Sequence, residues 1–233
     1  FHGRVAAVTA TLLAISPFAI WYGQETKMYA LHMLLAALTT LLLIQALTRG
    51  GWTRWLAYGF TINLLGYSHF FGGFTIAAQG IVTVLTTLKA PKKLVSYLLT
   101  MTLVGLPYIP VVQYALKLLP NFQMQDISKG FLPLPLMIQE LVSEYTLQVS
   151  RIRVDHINLL VITVGGVVAL GVWEAWRRDW HRGLWVSGLL ALPTLIFYAV
   201  SFRVPVFSAK YLSATFLIYI LTVALAIEAL RRW

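Results

Sequence analysis

Eight apolar runs follow one another along the chain of 233 residues, and most of them approach the length of a membrane crossing. A transmembrane helix needs roughly 20 consecutive, mostly apolar residues. The runs therefore predict an all-α fold: a polytopic transmembrane helix bundle of about eight spans, forming one domain over residues 1–233. The predicted spans are 5–21, 28–47, 55–67, 70–88, 94–116, 157–176, 184–202 and 211–230.

Two features modify the outline of these spans. The third run is short for a crossing, so it must use flanking residues or lie in locally thinned bilayer. Pro107 and Pro110 are predicted to kink the fifth span or to end it early, because proline supplies no backbone donor to a helix.

The composition excludes a soluble globular domain. Hydrophobic residues make up 59% of the chain and charged residues only 11%, whereas soluble domains have about 25% charged residues. The net charge of +10 does not indicate nucleic-acid binding, because the basic residues lie in the turns between spans rather than in one patch. The expected surroundings are the lipid bilayer. The chain has no cysteine, which excludes disulfide chemistry.

Basic residues and tryptophans predict the orientation of the bundle. The turns at 49–54, 89–93 and 177–182 are rich in lysine and arginine, and most of the tryptophans lie near the same turns or at the carboxyl terminus. Cytoplasmic turns carry an excess of basic residues, and tryptophan anchors helices at the membrane interface. These turns and both termini are therefore predicted to be cytoplasmic, which leaves the stretch WYGQETKMYA, residues 21–30, on the outer face.

One stretch departs from the membrane pattern: an outer loop at about 119–155, with polar residues and three prolines. Apolar residues recur there at helical spacing and indicate an amphipathic helix on the outer membrane surface. Its apolar face is predicted to comprise Ile138, Leu141, Val142, Tyr145 and Val149, and its polar face Gln139, Glu140, Ser143, Glu144 and Gln148. The pattern leaves open whether this helix is a lid that contacts substrate or only a connector.

Polar and charged side chains are concentrated at the predicted outer ends of the spans. They are Gln24, Glu25 and Lys27 in the first outer turn, His69 at the end of the third span, and Arg203 and Lys210 around the last outer turn. A carboxylate, an imidazole and several cations on one face indicate a polar cavity that could hold a phosphate headgroup through charge-assisted hydrogen bonds. The alternative is an ordinary polar turn with a surface pair between Glu25 and Lys27.

Three segments carry a family resemblance. PFAIWYGQETKMYALHMLLAAL resembles the P-x-x-x-x-Y-[ST]-Q-E-A-R-M-Y-x-L segment of bacterial family 39-like glycosyltransferases. These are polytopic GT-C enzymes related to the dolichyl-phosphate-mannose protein mannosyltransferases. YSHFFGGFTIAAQ resembles their Y-[ST]-H-Y-F segment, and AKYLSATFLIYILTVALA their R-Y-L-x-x-x-x-P run. The resemblance implies transfer of a sugar from a polyprenyl-phosphate-linked donor to a lipid, glycan or protein acceptor. This reaction is expected at the extracytoplasmic face of a bacterial inner membrane.

The resemblance also implies roles for single residues. The positions that match the family's donor-phosphate segments are Gln24, Lys27, Tyr29, Lys210 and Tyr211, and Arg203 is a further candidate cation for the phosphate. Lysine stands twice where the family has arginine, which keeps the charge but loses the bidentate fork. Glu25 and His69 are candidate ligands of a divalent cation bound with the phosphate, since hard metals prefer oxygen ligands.

The catalytic base of such enzymes usually lies in the first large outer loop, after the first helix. Because residues 1–21 resemble a later helix, we expect that loop upstream of Phe1. The chain is then a fragment without the first helices and is not expected to be active alone. Glu25 is the alternative candidate for the base.

Two other classes of function are open. In a secondary transporter, amides within the spans would line a path; these are Gln45, Asn63, Gln79, Gln113 and Asn158. The sequence has no recognisable inverted repeat of the kind such transporters contain. In a non-catalytic membrane subunit, the same amides would hold helices together.

Overall fold

The computed structural model describes residues 3–118, 131–148 and 157–232, and nearly all of them are helical. The described α-helices are α1 (Gly3–Ile15), α2 (Pro17–Gln24), α3 (Tyr29–Arg49), α4 (Trp52–Ser68), α5 (Gly72–Thr87), α6 (Pro91–Gly105), α7 (Ile109–Leu118), α8 (Leu134–Leu147), α9 (Ile157–Arg178), α10 (Trp180–Ser201) and α11 (Ser213–Leu230). Short 3-10 turns cover Leu106–Tyr108 and Ala209–Leu212. The all-α class is confirmed, and no strand occurs in the ranges just given.

The structure supports part of the predicted set of membrane spans. Four helical segments among the described residues are long and apolar enough to cross a membrane: Tyr29–Arg49, Ile157–Arg178, Trp180–Ser201 and Ala209–Leu230. The pair α1 and α2 would make a fifth span, bent by 57°. The prediction of about eight spans is not confirmed, because α4 and α5, with 17 and 16 residues, are shorter than the usual crossing.

Prolines account for the interrupted helices. Ser16 caps α2, its Oγ accepting the N–H of Ala19, and Pro17 is the first residue of that helix. Proline favours a helix start and cannot continue one, since its ring removes the backbone donor. The predicted break near Pro107 is confirmed, because α6 ends at Gly105 and a 3-10 turn precedes α7.

α11 forms the centre of the bundle, and α9 lies at its edge. In the most apolar 18-residue window of Ala209–Leu230, the segment that contains α11, 72% of the residues are buried. In the corresponding window of α9 only 11% are buried. α9 nevertheless packs tightly on α11 at Gly171, where an added Cβ would overlap the carbonyl group of Thr222. Small residues permit this close approach between apolar helices.

Ion pairs join the carboxyl ends of α9 and α11. Glu174 is fully buried, and its Oε1 accepts a 2.7 Å hydrogen bond from Nε of Arg178 on the same helix. The same Oε1 lies 3.5 Å from a guanidinium nitrogen of Arg232, just beyond α11. Glu228 of α11 pairs with Arg231 and Arg232. The sequence Glu-Ala-Xaa-Arg-Arg thus occurs at both helix ends, and the two copies meet.

The two ends of the bundle differ in charge. One end of the bundle contains the carboxyl ends of α3, α5, α9 and α11 and the start of α10. We call it the basic end, because the turns there are rich in lysine and arginine. The opposite end contains the start of α3, the turn between α4 and α5 and the start of α11; we call it the site end. The successive helices α3 to α5, and likewise α9 to α11, therefore run in alternate directions between the two ends, as the predicted orientation requires.

The predicted amphipathic helix is present as α8, and one of its faces packs on α2, α9 and the turn before α11. Its residues Met137, Leu141 and Tyr145 are buried in the aromatic core. Ile138 was assigned to the buried face and is exposed, whereas Glu144 was assigned to the solvent and is buried. Leu141 and Tyr145 were assigned to the buried face and are buried, so the buried face is shifted towards Met137 and Glu144. The Tyr145 ring lies against Phe18 of α2, and its hydroxyl bonds the carbonyl of Leu212 before α11. Val149 lies outside the described residues.

Candidate functional site

Four side chains from three separate elements meet at the site end. Tyr29 begins α3, His69 follows α4, and Lys210 and Tyr211 belong to the 3-10 turn before α11. The His69 ring centroid lies 5.6 Å from that of Tyr29 and 6.0 Å from that of Tyr211. We call this group the Tyr–His–Lys cluster. All four residues were candidates from the sequence, although 182 positions separate the first from the last.

Lys210 is the cation of the Tyr–His–Lys cluster. Its Nζ lies 5.7 Å from the ring centroid of Tyr29 and 5.8 Å from that of Tyr211. These distances are typical of cation–π contacts, in which the negative face of the ring attracts the ammonium. The ion pairs within the described residues do not include Lys210. The side chain is half-buried, so the ammonium is held in place but not neutralised.

His69 is held in a defined orientation by its own turn. It has an extended backbone that ends α4, and the N–H of Phe71 donates a 3.1 Å hydrogen bond to its Nδ1. This bond requires an unprotonated Nδ1, so the proton of the neutral ring lies on Nε2. Burial, and secondly the charge of Lys210, lower the pKa of His69 below its usual value. The residue is therefore a neutral ring with one N–H available as a donor.

Glu25 and Lys27 form the predicted pair. Glu25 directly follows α2, and its Oε1 lies 3.5 Å from Nζ of Lys27, which is more than half exposed. Exposed pairs of this kind contribute little to stability. The other carboxylate oxygen, Oε2, is buried and has no hydrogen-bond partner among the described residues. Glu25 precedes Tyr29 by four residues and lies at the same end of the bundle as the Tyr–His–Lys cluster.

The structure does not bring every predicted residue to the cluster. Gln24 is the last residue of α2 and is exposed. Arg203 is also exposed, in the turn after α10, where its backbone N–H donates to the carbonyl of Val200. No ion pair or ring contact joins either side chain to the cluster within the part of the chain that the structure describes.

His32 is part of the site, and sequence reasoning missed it. Its ring centroid lies 5.5 Å from that of His69, and only 2% of the residue is exposed. Ser68 directs its hydroxyl to the carbonyl of Leu65, so its oxygen is left to accept from Nδ1 of His32 at 3.5 Å. Nε2 of His32 is buried without a partner. The sequence feature that could have identified His32 is its position three residues after Tyr29, because residues at this spacing share one face of a helix.

α8 fixes the turn that carries Lys210. The hydroxyl of Tyr145 donates a 2.6 Å hydrogen bond to the carbonyl of Leu212, two residues after Lys210. Burial raises the pKa of Tyr145, so the hydroxyl keeps its proton and remains a donor. The Tyr145 ring also packs on Phe18 of α2 and Phe216 of α11. α8 therefore supports the Tyr–His–Lys cluster from inside the bundle.

A metal site receives little support from the geometry. The residues that the structure describes include no group of three or more histidines, aspartates or glutamates that could hold a metal ion. In addition, Nδ1 of His69 accepts the N–H of Phe71, and Nε2 carries the proton. The neutral ring then has no lone pair free for a cation, so His69 is better suited to donate to an anion.

The amides proposed for a transport path do not share one environment. Gln79 is fully buried, and its amide donates to the hydroxyls of Thr39 and Thr40, at 3.1 and 3.0 Å. Asn63 donates to a carbonyl of its own helix, 2.9 Å away. Gln113 and Asn158 are exposed on the outside of the bundle. Gln79 joins helices, as polar residues do in membrane bundles.

Comparison with known proteins gives no family assignment. No family model, curated protein or solved structure matches the chain. The candidate function therefore depends on the residues of the site end and on their chemistry.

Proposed function

We propose that the chain belongs to a membrane glycosyltransferase that takes a sugar from a polyprenyl-phosphate-linked donor, and that the Tyr–His–Lys cluster holds the donor phosphate. The transfer takes place at the extracytoplasmic face of a bacterial inner membrane, to a lipid, glycan or protein acceptor. The full bundle has about eight spans in this proposal, with the shorter helices α4 and α5 also in the bilayer.

Lys210 is the observation that carries the proposal. Its ammonium lies between two tyrosine rings, at 5.7 and 5.8 Å from their centroids, and outside the ion pairs of the described residues. A cation that is half-buried near the membrane interface is costly unless an anion or water stabilises it. A phosphate at this position would supply the missing charge.

His69 adds a directed hydrogen-bond donor beside that charge. With Nδ1 occupied by the N–H of Phe71, the Nε2–H of the neutral ring is free to donate to a phosphate oxygen. The charge on the carrier phosphate grows as the glycosidic bond breaks. Lys210 and the His69 N–H would then stabilise the transition state more than the ground state.

Glu25 and Lys27 have a different role in this proposal. Lys27 is already paired with Glu25 at 3.5 Å, so it neutralises a carboxylate that would otherwise repel the donor. The unpartnered Oε2 of Glu25 is the candidate to accept a hydrogen bond from the acceptor. Neither role depends on a bound metal.

Binding of polyprenyl phosphate to the purified chain in detergent tests the first step. Lys210→Ala should weaken binding at least tenfold, because the ammonium is the cation of the cluster. Lys117→Ala removes an exposed lysine near the end of α7 and should leave binding unchanged. Polyprenol, which lacks the phosphate, should bind weakly to all three proteins. Equal binding of polyprenol and polyprenyl phosphate would contradict the proposal.

Sugar transfer by the complete protein in proteoliposomes tests the second step. Loss of one preorganised contact to a developing charge costs on the order of 10²-fold in rate, and this is the loss expected for Lys210→Ala. Phosphate binding without any transfer would instead indicate a non-catalytic donor-binding subunit.

A further inference from the structure

A second candidate site lies at the basic end, far from the Tyr–His–Lys cluster. A cavity of about 930 Å³ opens there between α3, α5, α10 and α11. Its α3 lining extends from Thr40 to Thr48, whereas Tyr29 begins that helix, so the two sites are separated along α3 by about 16 to 29 Å. Nothing in the proposed donor chemistry uses this cavity.

The walls of the cavity are apolar. Ile44 and Leu47 of α3, Leu85 of α5, Leu189 of α10 and Leu221 of α11 all line it. A volume of this size lies within the range of sites that enclose small-molecule ligands. Walls of this kind suit a hydrocarbon chain and do not suit a small hydrated anion.

The rim of the cavity is cationic. Lys89, Lys93 and Arg182 lie at its mouth, with Asp179 as the acidic residue among the lining residues. Asp179 uses one carboxylate oxygen to cap α10, accepting the backbone N–H of Arg182 at 3.1 Å. Lys89 and Lys93 are exposed and take no part in the ion pairs of the described residues. The rim therefore has a net positive charge.

We propose that this cavity binds an anionic glycerophospholipid. The phosphate lies against Lys89, Lys93 and Arg182, and one acyl chain lies along the apolar wall. Charge complementarity selects the anionic headgroup, because basic groups at a helix-bundle surface attract anionic lipid. The apolar wall selects a ligand with a hydrocarbon chain over a free phosphate. The site does not depend on the proposed transferase function.

The test measures binding of dioleoyl phosphatidylglycerol to the purified chain in neutral detergent, by native mass spectrometry and by the shift of the melting midpoint. Phosphatidylglycerol should bind at least tenfold more tightly than phosphatidylcholine of the same chain length. The double variant Lys89→Ala/Lys93→Ala should weaken phosphatidylglycerol binding roughly thirtyfold, since each basic residue near an anionic surface contributes about 1 kcal/mol and about 1.4 kcal/mol corresponds to a factor of ten.

Two further variants distinguish a defined lipid-binding site from a general attraction of anionic lipid to positive charge. Lys92 is exposed between the two rim lysines but does not line the cavity, so Lys92→Ala should bind phosphatidylglycerol like the wild type. Ile44→Trp fills the apolar wall and should weaken binding while the rim charge stays intact. Lipid-free melting midpoints check that each variant is folded.

Several outcomes would overturn the proposal. Equal losses in Lys92→Ala and in the double variant would mean a diffuse electrostatic effect. Unchanged binding in Ile44→Trp would show that no chain enters the cavity, and binding of glycerol 3-phosphate as tight as that of the lipid would show a plain phosphate site. Lys210→Ala should not alter lipid binding here, so failure of this site and failure of the donor site are distinguishable.

Discussion

The backbone N–H of Phe71 donates a 3.1 Å hydrogen bond to Nδ1 of His69. The bond closes the turn between α4 and α5 and requires an unprotonated Nδ1. Protonation of Nδ1 would therefore remove this hydrogen bond as well as place a second positive charge beside Lys210. The same contact sets the direction of the Nε2–H that we propose donates to the donor phosphate.

Acid should destabilise the protein through His69. Burial, then Lys210, lower the pKa of His69 in the folded protein, whereas an unfolded chain has the usual histidine pKa of about 6.5. As the pH falls below about 6.5, the unfolded chain takes up a proton that the folded protein does not. The stabilising contribution is complete above that pH and is lost as the pH falls towards the folded-state pKa.

His69→Asn is the matched variant for this test. An asparagine Oδ1 can accept the N–H of Phe71, since asparagine commonly bonds the backbone two residues on, and it does not titrate. The variant should melt near the wild-type midpoint at pH 8 and should show a smaller fall between pH 7 and pH 5. Identical pH profiles for the two proteins would exclude His69 as the titrating group.

A methyl group at Gly72 should disturb the site. An added Cβ would lie 2.7 Å from the carbonyl oxygen of Leu65 and 3.3 Å from Cε1 of His32. Overpacking of this kind costs about 1–3 kcal/mol, so Gly72→Ala should lower the melting midpoint by several degrees. Gly73→Ala is the control, because its Cβ would meet no atom within 4 Å. Equal midpoints for the two variants would contradict the packing described at Gly72.

Loss of the Glu174 carboxylate should weaken the join between α9 and α11. Glu174→Gln leaves the guanidinium of Arg178, whose side chain is only 12% exposed, without its counter-charge. Removing one member of a buried pair costs about 3–5 kcal/mol, and for this chain length we expect a fall of about 10 °C in the melting midpoint. Glu228→Gln should have a smaller effect, since its partners Arg231 and Arg232 are 54% and 39% exposed. A larger effect of Glu228→Gln would reverse this ranking.

Cysteine labelling can test the orientation, because the chain contains no cysteine of its own. Thr26→Cys and Phe202→Cys place exposed thiols at the site end, and Thr53→Cys and Lys92→Cys place them at the basic end. A membrane-impermeant maleimide should label the first pair from outside the cell and the second pair only after permeabilisation. The opposite result would invert the bundle and would place the donor site on the cytoplasmic side.

Periodicity and proline chemistry predicted much of the helical framework. The apolar runs coincide with α3, α9, α10 and α11, and the interruption near Pro107 was predicted because proline removes a backbone donor. The prediction of about eight spans is not confirmed, although the short apolar run at 55–67 already indicated a short helix there. In the structure, the turn at Gly50 and Gly51, both with positive φ, precedes α4, and the extended His69 ends it after 17 residues.

The buried face of α8 shows a second limit of the pattern. A helical spacing of apolar residues assigned Ile138 to the buried face and Glu144 to the solvent, and the structure has the opposite. Leu141 and Tyr145 were predicted to be buried and are buried, but the pattern did not show that the Tyr145 hydroxyl bonds the carbonyl of Leu212, far away in sequence. A partner of this kind is visible only when the tertiary fold is known.

The sequence alone determined the helical class, the apolar surroundings and the residue types available at each end, because these depend on composition and local spacing. Only the tertiary structure decided that Tyr29, His69 and Lys210 form one cluster, with Arg203 outside it. It also revealed His32, and the cavity between α3, α5, α10 and α11. The physical reason is that contacts between distant segments depend on how whole helices pack, and neither charge nor hydropathy of a single segment specifies that packing.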